Sequence, residues 1–295
     1  PTPSFFMTVG TNDINIRSGG ELRVKAATYA GNYSAGSANS ASNTAVINYA
    51  STTVNQTIDP SETYDILKVS GGMTKNLSAN TTITRDLLIE GGTLDLQTFT
   101  ANRSSGGGSL TMAAGTTLRI GGTNTFPSNY SSILLATTST VEYKGANQTV
   151  QALSYGNLIL SATGTATKTM PGAAFTVAGN LTSSTSAGTL SYTAANNITV
   201  GGNINIGAST VFTSTAFSHS FGGNWVNNGT YNGCGSTVTS SGAGVIWSGA
   251  STAINNFGNV VIAGNGTLVN ANVSLSLCGN FSTSGGGTFI HTTGG

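Results

Sequence analysis

The sequence predicts an all-β protein, a parallel β-helix (β-solenoid) with about 21–25 residues per coil. Three observations predict it. A Gly-Asn-apolar tripeptide recurs at Gly156-Asn157-Leu158, Gly179-Asn180-Leu181, Gly202-Asn203-Ile204, Gly223-Asn224-Trp225, Gly258-Asn259-Val260 and Gly279-Asn280-Phe281. Its apolar members step by 23, 23, 21, 35 and 21 residues. A second marker, a Thr- or Gly-led β start, places Val46, Leu94, Val141, Leu190, Val238 and Phe289 at steps of 48, 47, 49, 48 and 51. The repeating unit is therefore about two coils. Finally, the chain of 295 residues holds 41 glycines and only 6% charged residues, against roughly 25% in an ordinary globular domain. Such a surface is polar without being charged, and aliphatic residues recur too regularly for a disordered low-complexity tract.

From the N-terminus, residues 1–43 stand outside the period. Phe5, Phe6, Met7 and Val9 form a strand-like apolar run, Leu22-Arg23-Val24 alternates, and Tyr29 to Asn43 is a Gly/Ala/Ser-rich linker. A solenoid end exposes an unpaired strand and an open core, so this segment is read as a cap, or as an extended arm for assembly with a neighbour. The opening Pro1-Thr2-Pro3 fits a processed secreted protein or a trimmed segment equally well. Residues 44–295 carry the solenoid, about eleven coils in two-coil repeats of about 48 residues. Upstream the coil ruler runs through Ile66, Leu87, Leu110 and Ile133 to Leu158. Tyr64-Asp65-Ile66-Leu67, Tyr155-Gly156-Asn157-Leu158 and Phe257-Gly258-Asn259-Val260 suggest a longer repeat near 95 residues, with an insertion in its last copy.

The physical account is a stack of short strands broken by Gly, Asn and Ser, each strand parallel to its copy about 4.8 Å above. Equivalent positions then form ladders. The predicted ladder residues are Asn157, Asn180, Asn203, Asn224, Asn259 and Asn280 at the bends, with Leu158, Leu181, Ile204, Trp225, Val260 and Phe281 inside. Asparagine side chains would bond to neighbours above and below, and the adjoining glycine would supply a positive φ at the bend. Cys234 and Cys278 lie 44 residues apart, about two coils. Strands two rungs apart are separated by roughly 9–10 Å, beyond disulfide reach unless the long step at 225–260 brings them together.

The passage Ser139-Thr140-Val141-Glu142-Tyr143-Lys144-Gly145-Ala146-Asn147-Gln148-Thr149-Val150, with Tyr155 to Leu160 and Phe221 to Tyr231, resembles the repeats of large secreted surface adhesins of Bacteroidota-type bacteria. The resemblance covers about residues 44–295. It implies a secreted or cell-surface protein, a structural subunit of an extracellular fibre or filament. It implies no catalytic residue.

Chemistry is sparse beside this. All nine acids, Asp13, Glu21, Asp59, Glu62, Asp65, Asp86, Glu90, Asp95 and Glu142, precede residue 143. A paired-carboxylate hydrolase site or an acidic calcium site is therefore excluded from 143–295. His219 and His291 have no partners at metal-ligand spacing, so no metal site is expected and both are read as surface or ladder residues. Gly106-Gly107-Gly108 and Gly285-Gly286-Gly287 lack the Lys-Ser/Thr of a phosphate loop and read as bends. One charged group stands out: Asp65 and Asp86, one coil apart, with Arg85, Glu62 and Lys68 nearby, an ion-pair network or else a cation or glycan site.

The net charge is +1, which excludes a basic nucleic-acid face, and no apolar run approaches the ~20 residues of a membrane helix. No cofactor is expected, and the expectation is not an enzyme. The partner expected is a second copy of the same chain, joined end to end because Gly287-Thr288-Phe289-Ile290 opens a new unit just before the sequence stops without a polar cap. The alternatives are a stalk fragment of a large adhesin that binds surface glycans and, remotely, a polysaccharide-degrading β-helix enzyme.

Overall fold

The structure, a computed structural model, describes residues 16, 19–29, 44–264, 267–271 and 274–292. The fold is a parallel β-solenoid of about 11 turns of ~22 residues, with no helix among the described residues. Two compact units divide it, Pro1–Gly121 with Pro127–Ala136, and Gly122–Phe126 with Thr137–Gly295. Phe5, Phe6, Met7 and Val9 lie outside the described residues.

In the first unit the strands Glu21–Val24, Val46–Tyr49, Tyr64–Val69, Thr81–Ile89, Gly107–Met112 and Tyr130–Leu135 stack in parallel. A second ladder runs through Gln56–Ile58, Thr74–Leu77, Thr93–Asp95 and Thr117–Ile120. Pairing already begins at Glu21–Val24, inside the segment read as a cap or arm. Ile47, Leu67, Leu87 and Leu110 form one buried ladder, continued by Ile133. Burying each such side chain contributes about 2 kcal/mol. Ile66 is not on that ladder; it faces Asp86, because the pairing there is offset by 20 residues (86 − 66) and not by the 21 that separate Ile66 from Leu87. A one-residue slip turns a side chain to the other face, and sequence spacing alone cannot see it.

In the second unit each regular coil carries three short strands, as in Asn157–Ala162, Ala166–Thr169 and Phe175–Val177. The first face stacks Thr140–Tyr143, Asn157–Ala162, Leu181–Thr185, Ile204–Ile206, Trp225–Asn227, Val245–Gly249, Thr267–Ala271 and Thr288–Thr292. The other two faces run side by side from Gln148–Thr149 and Ser154–Tyr155 until both meet in the long strand Thr230–Ser240. That strand pairs with Ile254–Ile262, which in turn carries Ser276–Leu277 and Phe281–Thr283.

Leu158, Leu181, Ile204 and Trp225 occupy one register, and all are buried. The next rung is Trp247, one ordinary coil further on. Val260 and Phe281 pair with each other on a different face. The step of 35 residues is thus a change of face, and no insertion is needed to explain it. The 48-residue marker likewise mixes faces: Val141 sits directly on Leu158, whereas Leu190 pairs with Thr210 and Val238 with His219.

Candidate functional site

The Gly-Asn pairs form a single repeated device. Asn157 Oδ1 accepts from Asn180 N–H at 2.9 Å, Asn180 Oδ1 from Asn203 N–H at 2.8 Å, Asn203 Oδ1 from Asn224 N–H at 2.7 Å, and Asn224 Oδ1 from Ile246 N–H at 2.9 Å. Asn259 Oδ1 accepts from Asn280 N–H at 2.9 Å on the other face. Each amide therefore ties one coil to the next. The glycines preceding these asparagines do not have positive φ, contrary to expectation. Their role is close approach: a Cβ at Gly179, Gly202, Gly223 or Gly279 would overlap the asparagine Oδ1 of the coil before. In the copies from Asn157 to Val260 both side chains of the motif are consumed by the stack, whereas Asn280 and Phe281 are exposed.

A polar network that the sequence reading missed occurs once in each unit. In the first, Tyr49 and Tyr64 hydroxyls meet at 2.9 Å, Gln56 Oε1 accepts from Ser51 N–H at 2.9 Å, and the buried Lys75 Nζ donates to the Ser51 carbonyl at 3.0 Å. In the second, Tyr143 and Tyr155 meet at 3.2 Å, Gln148 Oε1 accepts from Gly145 N–H at 2.8 Å, and buried Lys168 Nζ donates to the Gly145 carbonyl at 2.7 Å. Burial lowers the pKa of each lysine to about 8. The signal was present as Asn55-Gln56-Thr57-Ile58 and Asn147-Gln148-Thr149-Val150, with Lys75 and Lys168 following the glutamines by 19 (75 − 56) and 20 (168 − 148) residues. In the third copy Trp247 and Phe257 replace the tyrosines and stack at 4.6 Å. The arrangement binds turn carbonyls to the core and offers nothing to solvent.

His219 takes an interior ladder position between Ile198 and Val238. Its Nδ1 accepts from Ile198 N–H at 3.2 Å, so the neutral ring carries its proton on Nε2, 2.6 Å from Ser214 Oγ. Burial lowers its pKa from 6.5 to about 4. A group whose folded pKa lies below its unfolded value contributes stability above the unfolded pKa and loses it as pH falls through the folded one. We expect about 3 kcal/mol to be lost between pH 6.5 and 4 for this reason. Urea titrations at both pH values should show that loss in the wild type and a smaller one in His219→Gln; equal losses would assign the acid sensitivity elsewhere. The side chain of His291 lies outside the described residues.

The charged group of the first unit surrounds a cavity of about 480 Å³ lined by Asp65, Thr84, Arg85, Asp86, Arg103 and Gly108. Two irregularities in one sheet create it. Thr84 and Arg85 together face the single residue Asp65 across the slip between Tyr64 and Ile66. On the other edge of the strand Thr81–Ile89, its start pairs with Ala101–Arg103 and its end with Gly107–Met112, so Thr84, Arg85 and Asp86 have no paired residue there. Between buried Ile83 and Leu87 stand three residues that are not buried. A bulge of this kind re-aims side chains.

Arg103 fills part of the gap, its Nε donating to the Arg85 carbonyl at 3.0 Å. Gly108 must be glycine: it has φ +52°, and a Cβ there would overlap the Arg85 carbonyl oxygen. Asp86 Oδ1 accepts from Ser109 N–H at 2.7 Å, and its Oδ2 meets Arg85 Nε at 3.2 Å. Asp65 Oδ1 accepts from Thr84 Oγ1 at 2.7 Å, while Asp65 Oδ2 is buried without a hydrogen-bond partner. The other two residues of the predicted group lie elsewhere: Lys68 pairs with Glu90 at 2.7 Å, and Glu62 is buried outside the cavity lining. Asp65 and Asp86 do not stack, since Asp86 faces Ile66. Among the described residues no group of three or more His, Cys, Asp or Glu could hold a metal ion.

Fold and side-chain networks together define a parallel β-solenoid repeat protein. No protein-family model, no curated protein and no solved structure matches the chain.

Proposed function

We propose that this chain is a structural extracellular protein, a subunit of a surface fibre that adds coils end to end. The observation that carries the reading is the last rung. Phe281, Phe289 and Ile290 are 37%, 36% and 43% exposed, whereas Val260, on which Phe281 stacks, is fully buried. Phe281 and Phe289 pack edge to face at 4.9 Å, an apolar surface with one side uncovered. A further rung in register, from a second copy or from further chain, would cover it and pair the open strand edge. The Cys234–Cys278 disulfide supports an oxidising, extracellular setting. The low charge and the coil-to-coil asparagine ladder support a scaffold role, as does the resemblance to surface-adhesin repeats.

Sedimentation velocity and electron microscopy across a wide concentration series test the reading. Filaments or head-to-tail oligomers are expected, and Phe289→Asp should return them to monomers. Dispersed monomers at the highest concentration would overturn it. A mass far above 29.5 kDa for the native polypeptide would make the same rung an internal coil of a longer stalk.

A further inference from the structure

We propose that the cavity between Asp65, Arg85, Asp86 and Arg103 is a binding site for a neutral sugar. Its charge balance carries the choice of ligand. Two carboxylates and two guanidinium groups line one space, so a free cation meets two positive groups and a free anion meets two negative ones. No apolar side chain lines it, which leaves an apolar ligand nothing to bury against. A polyhydroxylated ligand of no net charge fits, because each hydroxyl both donates and accepts.

The groups divide the work by chemistry. Asp65 Oδ2, buried and without a partner, is an acceptor waiting for a hydroxyl proton. An unpaired buried carboxylate oxygen is costly, and such a cost persists where a ligand or function requires it. Arg85, 46% exposed at the rim, sets a cationic donor beside Asp86, while Arg103 spends its Nε and Nη1 on the Arg85 and Ser105 carbonyls and contributes its charge to the lining. The cavity volume lies within the roughly 300–1,000 Å³ of small-molecule sites, room for a mono- or disaccharide. The Arg85 carbonyl anchors the lining, since it accepts from Arg103 Nε and leaves no room for a Cβ at Gly108. The proposal does not rest on end-to-end assembly, since the exposed rung at Phe281, Phe289 and Ile290 is no part of the cavity lining.

Saturation-transfer NMR and calorimetry on the whole chain test it. The probes are free glucose, galactose, mannose, fucose and lactose, with sialic acid and calcium chloride as charged comparators. At least one neutral sugar should bind, and Asp65→Asn and Arg85→Gln should each weaken it at least tenfold. Asp65→Asn should also melt at a higher temperature than the wild type, because the buried atom without a partner then belongs to a neutral amide and not to a carboxylate; a structural role for Asp65 would move the melting point the other way. Three results would overturn the proposal: no neutral sugar bound at about 50 mM, where any site with a Kd near 1 mM is filled; binding of sialic acid or calcium alone; or sugar binding that both variants retain.

Discussion

Trp225→Ala should lower the free energy of unfolding by about 4 kcal/mol, the middle of the range for deleting a buried tryptophan. Trp225 sits where the ladder changes from aliphatic to aromatic: Leu158, Leu181 and Ile204 below it, Trp247 above. Its ring is 4.8 Å from Tyr231, 5.2 Å from Phe257 and 5.4 Å from Phe221. Alanine would open a void that its aromatic neighbours hold apart, since Tyr231 is hydrogen-bonded to Ser236 and Phe257 is stacked on Trp247. Trp225→Phe gives the control. The indole Nε1 is buried without a partner, so phenylalanine loses some packing but also removes an unsatisfied donor. A loss below about 1.5 kcal/mol is expected for it. Chemical denaturation followed by far-UV circular dichroism measures both. If alanine costs no more than phenylalanine, the aromatic cluster is not packed as described.

The same residue shows how far the sequence could be read. Spacing placed Leu158, Leu181, Ile204 and Trp225 on one ladder because each coil there repeats both length and motif. It lost the ladder at Trp247 because Ile246 stands where asparagine is expected, and only its backbone N–H answers Asn224. The Gly-Asn shape at 258–259 then drew the ruler onto another face, since a bend that accommodates an Asn Oδ1 serves any corner of the coil. Glycine itself was read correctly as a bend residue and for the wrong reason: φ is ordinary there, and the side chain beneath leaves no room for a Cβ.

The cavity was half legible. Asp65, Arg85 and Asp86 stood out because acids are scarce, but Arg103 and Gly108 did not. Their approach depends on a register slip and on a strand whose two halves take different partners. Neither leaves a periodic trace. A slip of one residue is invisible in a chain where every second residue is Ser, Thr, Asn or Gly.

Reducing the Cys234–Cys278 disulfide should cost about 4 kcal/mol, the chain-entropy value for a closed loop of 44 residues. Regular stacking would keep these residues apart, for Gly233, Phe257 and Leu277 mark three successive rungs. Their Cα atoms are nevertheless 5.4 Å apart. The reason is the irregularity between Gly233 and Thr237, where Cys234, Gly235 and Ser236 stand opposite the single residue Gly258. The extra residues arch over the strand Ile254–Ile262 and reach the rung beyond it. The bond therefore clamps an intervening strand as well as closing a loop. In a stack where each coil touches only its neighbours, the loss should be local. Amide exchange should accelerate from residue 254 onward in the reduced protein and in Cys234→Ser/Cys278→Ser, while the coils at 157–206 keep their protection. Both cysteines are exposed, so reductant can reach the bond without prior unfolding. Unchanged exchange at 254–290 after verified reduction would show that the coils hold themselves. Acceleration spread evenly over the whole chain would show instead that the protein unfolds as one cooperative unit.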